Sequence, residues 1–221
     1  MTRFKGVLFD LDGTLADNYT AIHLCAREAF RRLGIPEPDY EAVFKTVGGS
    51  ILITMKRLLA GGEFAQKYED AARLYLELYP DYIFCGLKPM PGAREVLEAL
   101  KARGVRLGCF TNKQAEGAEP ILQKLDLAKY LDCVAATSLH SPRKPEREFT
   151  LLALEKIGLG AGEVLGVGDS PFDYMAAESC AMASALVATG ADSRESLEKN
   201  CPNALGVFGS LPEMAREIFG I

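Results

Sequence analysis

Val7-Leu8-Phe9-Asp10-Leu11-Asp12-Gly13-Thr14-Leu15 reads as an apolar strand that runs straight into two carboxylates. In an extended chain alternate side chains share a face, so Asp10 and Asp12 point one way while Leu11 packs on the other. Gly13 and Thr14 end the strand. A glycine there lets backbone approach a ligand closely and leaves N–H groups to bind oxyanions. The same residues also suit an ordinary polar turn, because Asp and Gly are common turn formers. The rest of the chain separates these two readings.

Downstream, Asp17 or Asn18 is placed to cap a helix whose apolar residues Ile22, Ala26, Ala29, Phe30 and Leu33 recur at helical spacing up to Gly34. The pattern then predicts helices over residues 40–47, 51–59 and 63–79, separated by Gly48-Gly49-Ser50 and Gly61-Gly62, with no strand-like run from Asn18 to Tyr79. From Pro89 onward helix and strand alternate. A helix over 93–103 closed by Gly104 leads to a strand over 105–110, and a further helix leads to a strand over 133–137. A helix over 146–157 presents Phe149, Leu152, Ala153 and Ile157 to a core, and Val164-Leu165-Gly166-Val167 leads into Gly168-Asp169. Short strands that are apolar on both faces belong to a parallel sheet covered by helices on each side. The expected fold is α/β: a doubly wound, Rossmann-like parallel sheet built from residues 1–15 and 85–221, with residues 16–84 inserted as an all-helical cap.

A chain of 221 residues, 48% hydrophobic and 25% charged, can bury a sizeable core and has ordinary globular composition. Its formal net charge of −5 argues against a general binder of nucleic acid or of an anionic membrane, since such partners need a basic footprint. The six cysteines are scattered without a C-x-x-C pair, and His23 and His140 are the only imidazoles, so zinc is not expected and a reducing compartment is. The apparent strand is entered by Phe4, and no apolar run has the length of a membrane span. The expected location is the cytoplasm, and the expected assembly a monomer or homodimer.

Open α/β sheets bind ligands beyond the carboxyl ends of their strands. Polar groups fall at such ends throughout: Asp10 and Asp12 after the first strand, Thr111-Asn112-Lys113 after Cys109-Phe110, Lys144 after the 133–137 strand, and Asp169 with Asp173 after Val167. Each has another reading when taken alone. Thr111 or Asn112 suits a helix cap, Lys144 a solvated surface, and Asp169 a turn. Together they converge on one crevice.

In that order and spacing the residues resemble the haloacid dehalogenase superfamily over nearly the whole chain. Asp10-Leu11-Asp12-Gly13-Thr14 is similar to its first motif, Thr111 to its second, Lys144-Pro145 to its third, and Gly168-Asp169-Ser170-Pro171-Phe172-Asp173 to its fourth. The helical insert and Thr111-Asn112-Lys113 resemble the phosphoglycolate-phosphatase-like branch. One departure is Arg147, which stands where the family often has the second proline of K-P-x-P. The resemblance implies that Asp10 attacks phosphorus to form an aspartyl-phosphate and that Asp12 protonates the leaving oxygen and later activates water. It implies substrate binding by Gly13, Thr111, Asn112 and Lys144. It also implies Mg²⁺ held by Asp10, the Asp12 carbonyl and Asp169, with Asp173 orienting the site. Oxygen-only ligands beside a phosphate suit Mg²⁺.

The expected activity is hydrolysis of a small phosphorylated metabolite, with 2-phosphoglycolate the first candidate. A phosphomutase would use the same two aspartates. Mutases of this family usually carry a cap histidine near His23, which falls one residue beyond that position. A dehalogenase would need neither Asp12 nor a strict metal site, and a non-catalytic sensing or interaction module would not need the full set. In the cap, Gly48-Gly49-Ser50 with Lys45, Lys56 or Arg57 offers groups for an anionic substrate, or else a simple glycine turn capped by Ser50. Arg143 and Arg147 add positive potential beside Lys144, or lie on a solvated face.

Overall fold

The computed structural model describes residues 3–138 and 141–221, so His140 lies outside the described residues. Its first strand, β1 (Gly6–Phe9), is buried at every position. Val7 and Phe9 enter one hydrophobic cluster and Leu8 the other, the two-faced burial of a central parallel strand. The chain continues through β2 (Ala16–Asp17), α1 (Tyr19–Arg32), α2 (Tyr40–Phe44), α3 (Ile51–Leu58) and α4 (Tyr68–Tyr82), and returns through β3 (Lys88–Pro89). It then alternates: α5 (Ala93–Ala102), β4 (Arg106–Gln114), α6 (Ala115–Lys124), β5 (Cys133–Thr137), α7 (Arg147–Ile157), β6 (Val164–Gly168), α8 (Pro171–Glu178), β7 (Ala183–Val187), α9 (Arg194–Asn200), β8 (Val207–Phe208) and α10 (Leu211–Phe219).

The six-stranded sheet has the order β5-β4-β1-β6-β7-β8, with every pairing parallel. In register, Phe9 lies opposite Cys109 of β4 and Val167 of β6. Succeeding strands wind outward from β1 in both directions, so the loops after β1, β4 and β6 part and leave a crevice at their carboxyl ends. Phe149, Ala153 and Ile157 of α7 with Ala176 and Ala177 of α8 cover the Leu8 face. Leu97 and Leu100 of α5 with Met214 and Ala215 of α10 join the cluster on the other face. This is the doubly wound sheet that the strand pattern predicts.

Between β2 and β3 the described chain forms helices without a strand. The small residues Ala26 and Ala29 of α1 and Ala71 and Ala72 of α4 are all buried, and the Cys25 thiol reaches the Tyr75 carbonyl at 3.3 Å. β2 and β3 pair antiparallel where the chain leaves the sheet and returns, with Lys88 Nζ 3.3 Å from Asp17 Oδ2.

Several local expectations differ from the structure. The helix predicted over 63–79 begins at Tyr68 after a 3-10 turn at Ala65–Lys67 and runs through Pro80 to Tyr82. Pro80 forgoes its own N–H bond and crowds the carbonyl four residues back, and the burial of Tyr79 and Ile83 on either side of it offsets that cost. The helix predicted over 40–47 stops at Phe44, and the Thr46 hydroxyl bonds back to the Val43 carbonyl at 2.7 Å. On α7, Leu152 is 40% exposed, because Thr150 and Leu154 complete the buried arc and turn Leu152 to solvent. β4 extends beyond residue 110 to Gln114, with a register shift against β5 between Phe110 and Gln114. Thr111, Asn112 and Lys113 thus sit on an irregular strand end. Among the described residues no helix is long and apolar enough to cross a membrane.

Candidate active site

The sheet places Asp10 one residue past β1 and Asp169 one residue past β6, and these two strands are hydrogen-bonded neighbours. Asp173 follows in the first turn of α8, where its Oδ2 accepts from the Ser170 N–H at 3.1 Å and the Ser170 hydroxyl at 2.6 Å. This capping box leaves Oδ1 of Asp173 to face the crevice. Lys144, only 2% exposed, donates its ammonium to Asp10 Oδ1 at 2.7 Å and Asp173 Oδ1 at 2.6 Å, and lies over the Phe110 ring at 4.7 Å. Burial alone would pull this ammonium down. Asp10 and Asp173 outweigh that and raise it above the ordinary lysine value.

The carboxylates carry the opposite strain. Burial pushes Asp10 up to about 7, against the pull of Lys144 and with help from Asp173 and Asp12. Burial first, then Asp10 and Asp173, push Asp169 well above the carboxylate range. Ionised carboxylates here call for positive charge beyond that of Lys144. The donor set fits a divalent cation. Asp10, Asp169 and Asp173 are buried and each offers an oxygen within 4.8 Å of the others. Asp169 accepts from Thr14 Oγ1 at a long 3.3 Å, and the nearby Tyr19 hydroxyl is buried without a hydrogen-bond partner. A Cβ on Gly13 would come within 2.3 Å of that hydroxyl and 2.5 Å of Asp169 Oδ2, and one on Gly190 within 1.5 Å of Asp169 Oδ2. Both glycines make room for the carboxylate. Oxygen-only donors with an orphaned hydroxyl beside them suit a hydrated hard cation such as Mg²⁺.

The raised carboxylates have a consequence for stability. Ordinary carboxylates in the unfolded chain release their protons near pH ~4, whereas Asp10 and Asp169 keep theirs longer in the fold. Between those values the folded state binds more protons, so stability of the metal-free protein falls as pH rises from about 4 toward 7. Urea midpoints in EDTA at pH 5.5 and 7.5 check this. A midpoint that rises with pH would show that the carboxylates are already compensated, and added Mg²⁺ is expected to flatten the decline.

Asp12 points into the same crevice but has other partners. Asn18 Nδ2 donates to its Oδ1 at 2.7 Å and Lys113 Nζ to its Oδ2 at 3.1 Å. Asn18 follows β2 and its side chain makes no cap bond, so the capping expected of it gives way to this contact and a 3.4 Å bond to the Tyr79 hydroxyl. Lys113 also lies over the Tyr79 ring at 4.7 Å. Its burial is outweighed by Asp12 and Tyr79, and its ammonium is raised.

The remaining sequence-selected residues sort by what they touch. Thr111 is buried, and its hydroxyl accepts the Lys113 N–H at 3.1 Å. Asn112 spans the Lys144 backbone, accepting its N–H at 2.7 Å and donating to its carbonyl at 3.3 Å. It thereby holds the lysine loop while also lining the cavity. Gly13 has a φ of +85°, but its N–H donates to the Ala16 carbonyl at 2.9 Å and that of Thr14 to Leu11 at 3.3 Å. The oxyanion N–H groups expected there are consumed by the turn that carries the chain into β2.

Other expectations lead away from the crevice. A His23 ring nitrogen lies 3.2 Å from the Pro38 carbonyl, and the ring packs edge-on against Tyr40, so the histidine does not line the cavity. Lys45 pairs with Glu41 at 3.0 Å, Lys56 lies over Tyr68 and Arg57 over Phe172. Arg147 donates to the Ser179 carbonyl, whereas Arg143 lines the cavity. The contacts of Asn18 and Tyr79 at the site were not read from the sequence. Asn18 looks like a cap and Tyr79 like core, and only the fold brings them to Asp12.

The family model described as haloacid dehalogenase-like hydrolase matches residues 7–187. A phosphoglycolate phosphatase of Nitrosospira multiformis is 33% identical over 179 residues, covering 79% of this chain and 79% of its own. A phosphoglycolate phosphatase of Aquifex aeolicus is 32% identical over 185 residues, covering 83% and 84%. The crystal structure of a predicted phosphoglycolate phosphatase from Haemophilus somnus 129pt matches with a TM-score of 0.86 at 24% identity, covering 98% of this chain and 99% of that one. At that identity the structural likeness speaks for the fold alone.

Proposed function

Because the chain belongs to the haloacid dehalogenase-like hydrolases, we propose that it is a Mg²⁺-dependent phosphatase that releases phosphate from a small phosphorylated metabolite through an aspartyl-phosphate on Asp10. The observation that carries this reading is the buried group of Asp10, Asp169 and Asp173 gathered about Lys144, with Asp12 beside it. Asp10, the Asp12 carbonyl and Asp169 would hold Mg²⁺, with Asp173 orienting the site. The ion supplies positive charge against the phosphoryl oxygens and keeps Asp10 ionised.

In the first step a carboxylate oxygen of Asp10 attacks phosphorus and the ester oxygen leaves with the proton of Asp12. In the second, Asp12 takes a proton from water, which attacks the aspartyl-phosphate and frees phosphate. Lys144 and Thr111 hold the phosphoryl oxygens, with Gly13 and Asn112 shaping the walls around them. Both Asp12 oxygens meet donors in this conformation, so the one that carries a proton must turn from Asn18 or Lys113 toward substrate.

Magnitudes favour this division of labour. Hydrolysis of a phosphate monoester can require up to ~10²¹-fold acceleration, whereas general acid–base help supplies ~10²–10⁴. Asp12 therefore contributes a minor share, and positioning and preorganised charge supply the rest. On the same reading residues 1–15 and 85–221 form the catalytic core and residues 16–84 a cap that excludes water, joined at the β2–β3 pair.

2-Phosphoglycolate, the substrate in the names of the relatives, is the first compound to assay, alongside sugar phosphates and simple phosphomonoesters. Phosphate release with Mg²⁺, its loss in EDTA and its return with excess Mg²⁺ are expected. Release that ignores EDTA would remove the metal from the proposal. Isomer formation without phosphate release would turn it into a mutase.

A further inference from the structure

The crevice continues past Asp12 into a cavity under the helical insert, and its walls are of two kinds. At the sheet end stand Asp10, Asp12, Thr111 and Asn112; at the other end Ile22 of α1, Val47, Ile51 and Leu52 at the start of α3, Leu76 of α4 and Ile83 just past its end. The 47–50 loop closes directly over the chemistry, since a Cβ on Gly48 would lie 3.4 Å from Ser170 Cβ. Whatever leaves from phosphorus must occupy this space.

Among the described residues, the cations on that wall are engaged. Lys113 is held by Asp12 and the Tyr79 ring, and Arg143 lies 3.8 Å from Glu146. Glu116 adds a negative group to the lining. The cations of the insert, Lys45, Lys56 and Arg57, are turned elsewhere. Among the described residues, one fully buried side-chain polar atom on the wall lacks a partner: the hydroxyl of Ser50, a residue 6% exposed. The neighbouring Thr54 hydroxyl is satisfied by the Thr46 carbonyl at 3.2 Å.

Resting on the phosphatase reading, we infer that the leaving alcohol is compact, uncharged and mainly hydrocarbon, aliphatic or aromatic, with room for one neutral hydrogen-bonding group at Ser50. A second anion on the alcohol would be desolvated against Ile51, Leu52 and Leu76, in the field of Glu116 and Asp12 and of the phosphate itself. Burying an uncompensated charge costs more than the apolar contact it displaces. Of the groups on the wall that favour an anion, Lys113 is held by Asp12 and Arg143 faces Glu146, and the α3 N-terminus carries a partial charge of about half a unit.

Matched esters test this: benzyl phosphate against 4-carboxybenzyl phosphate, and n-propyl phosphate against 2-phosphoglycolate, each assayed for kcat/KM with Mg²⁺. The neutral member of each pair is expected to be favoured by at least ~10-fold, and Leu52→Arg is expected to narrow or reverse both ratios. Ser50→Ala should lower kcat/KM for 3-hydroxybenzyl phosphate more than for benzyl phosphate. Equal or better turnover of the carboxylated esters would overturn the inference and assign an anion to the α3 N-terminus, leaving the phosphatase reading intact. Release from none of the esters would overturn that reading and this one with it.

Discussion

Asp10→Asn is expected to lower phosphate release by at least ~10⁴-fold while the protein keeps, or slightly raises, its melting temperature. The amide is the same size and cannot form the acyl-phosphate, and removal of a sole nucleophile is not made good by the groups around it. Stability should not suffer, because burial already penalises an ionised carboxylate at this position, pushing it up to about 7. The amide has no charge to desolvate. Lys144 loses one charged partner and retains Asp173 at 2.6 Å. Opposite signs in the two measurements, activity lost and stability held, identify a residue selected for chemistry over packing. Turnover comparable to that of the parent protein would remove Asp10 as the nucleophile.

Lys144→Ala is expected to damage both properties. The ammonium is the partner of two buried carboxylates, and taking one member out of such a group costs about 3–5 kcal/mol because the remaining charges are left uncompensated. For a chain of this length that corresponds to a fall in melting temperature of roughly 6–20 °C. The loss should be largest in EDTA above pH 7 and shrink at pH 5, where Asp10, pushed up to about 7 by burial, takes up a proton. Activity should fall by ~10²–10³-fold even with saturating Mg²⁺, the usual consequence of deleting one preorganised charge donor. Differential scanning calorimetry at the two pH values and kcat/KM with Mg²⁺ measure the two effects separately. Unchanged kinetics would reduce Lys144 to a structural counter-ion.

The two substitutions differ because the site is an electrostatic balance. Three buried carboxylates face one lysine, so removing negative charge relaxes the fold and removing positive charge strains it. On the proposed reading a divalent ion closes the balance, which would link the metal-free pH dependence to the proposed need for Mg²⁺.

Much of this was legible in the chain. The apolar runs Val7-Leu8-Phe9 and Val164-Leu165-Gly166-Val167 announce buried parallel strands, and the carboxylates that follow them fall at strand ends, where sheets of this class bind ligands. Less legible were features in which a side chain's task depends on a distant partner. Asn18 has the character of a helix cap until Asp12 and Tyr79 claim its amide. Leu152 fits the helical stripe as well as Leu154 does, and only the neighbouring α8 and sheet decide which of them is covered.

The order of apolar runs and strand-end polar groups by itself determined the doubly wound sheet and the positions of its chemical residues, because burial periodicity and chain order are local properties that every turn of the sequence expresses. Only the tertiary structure decided that Lys113 meets Asp12 across 101 residues of chain, that the Gly13 and Thr14 N–H groups are consumed within their own turn, and that the insert lines the cavity beside Asp12 with apolar side chains. Those outcomes depend on distances between segments that approach one another only once the sheet is assembled.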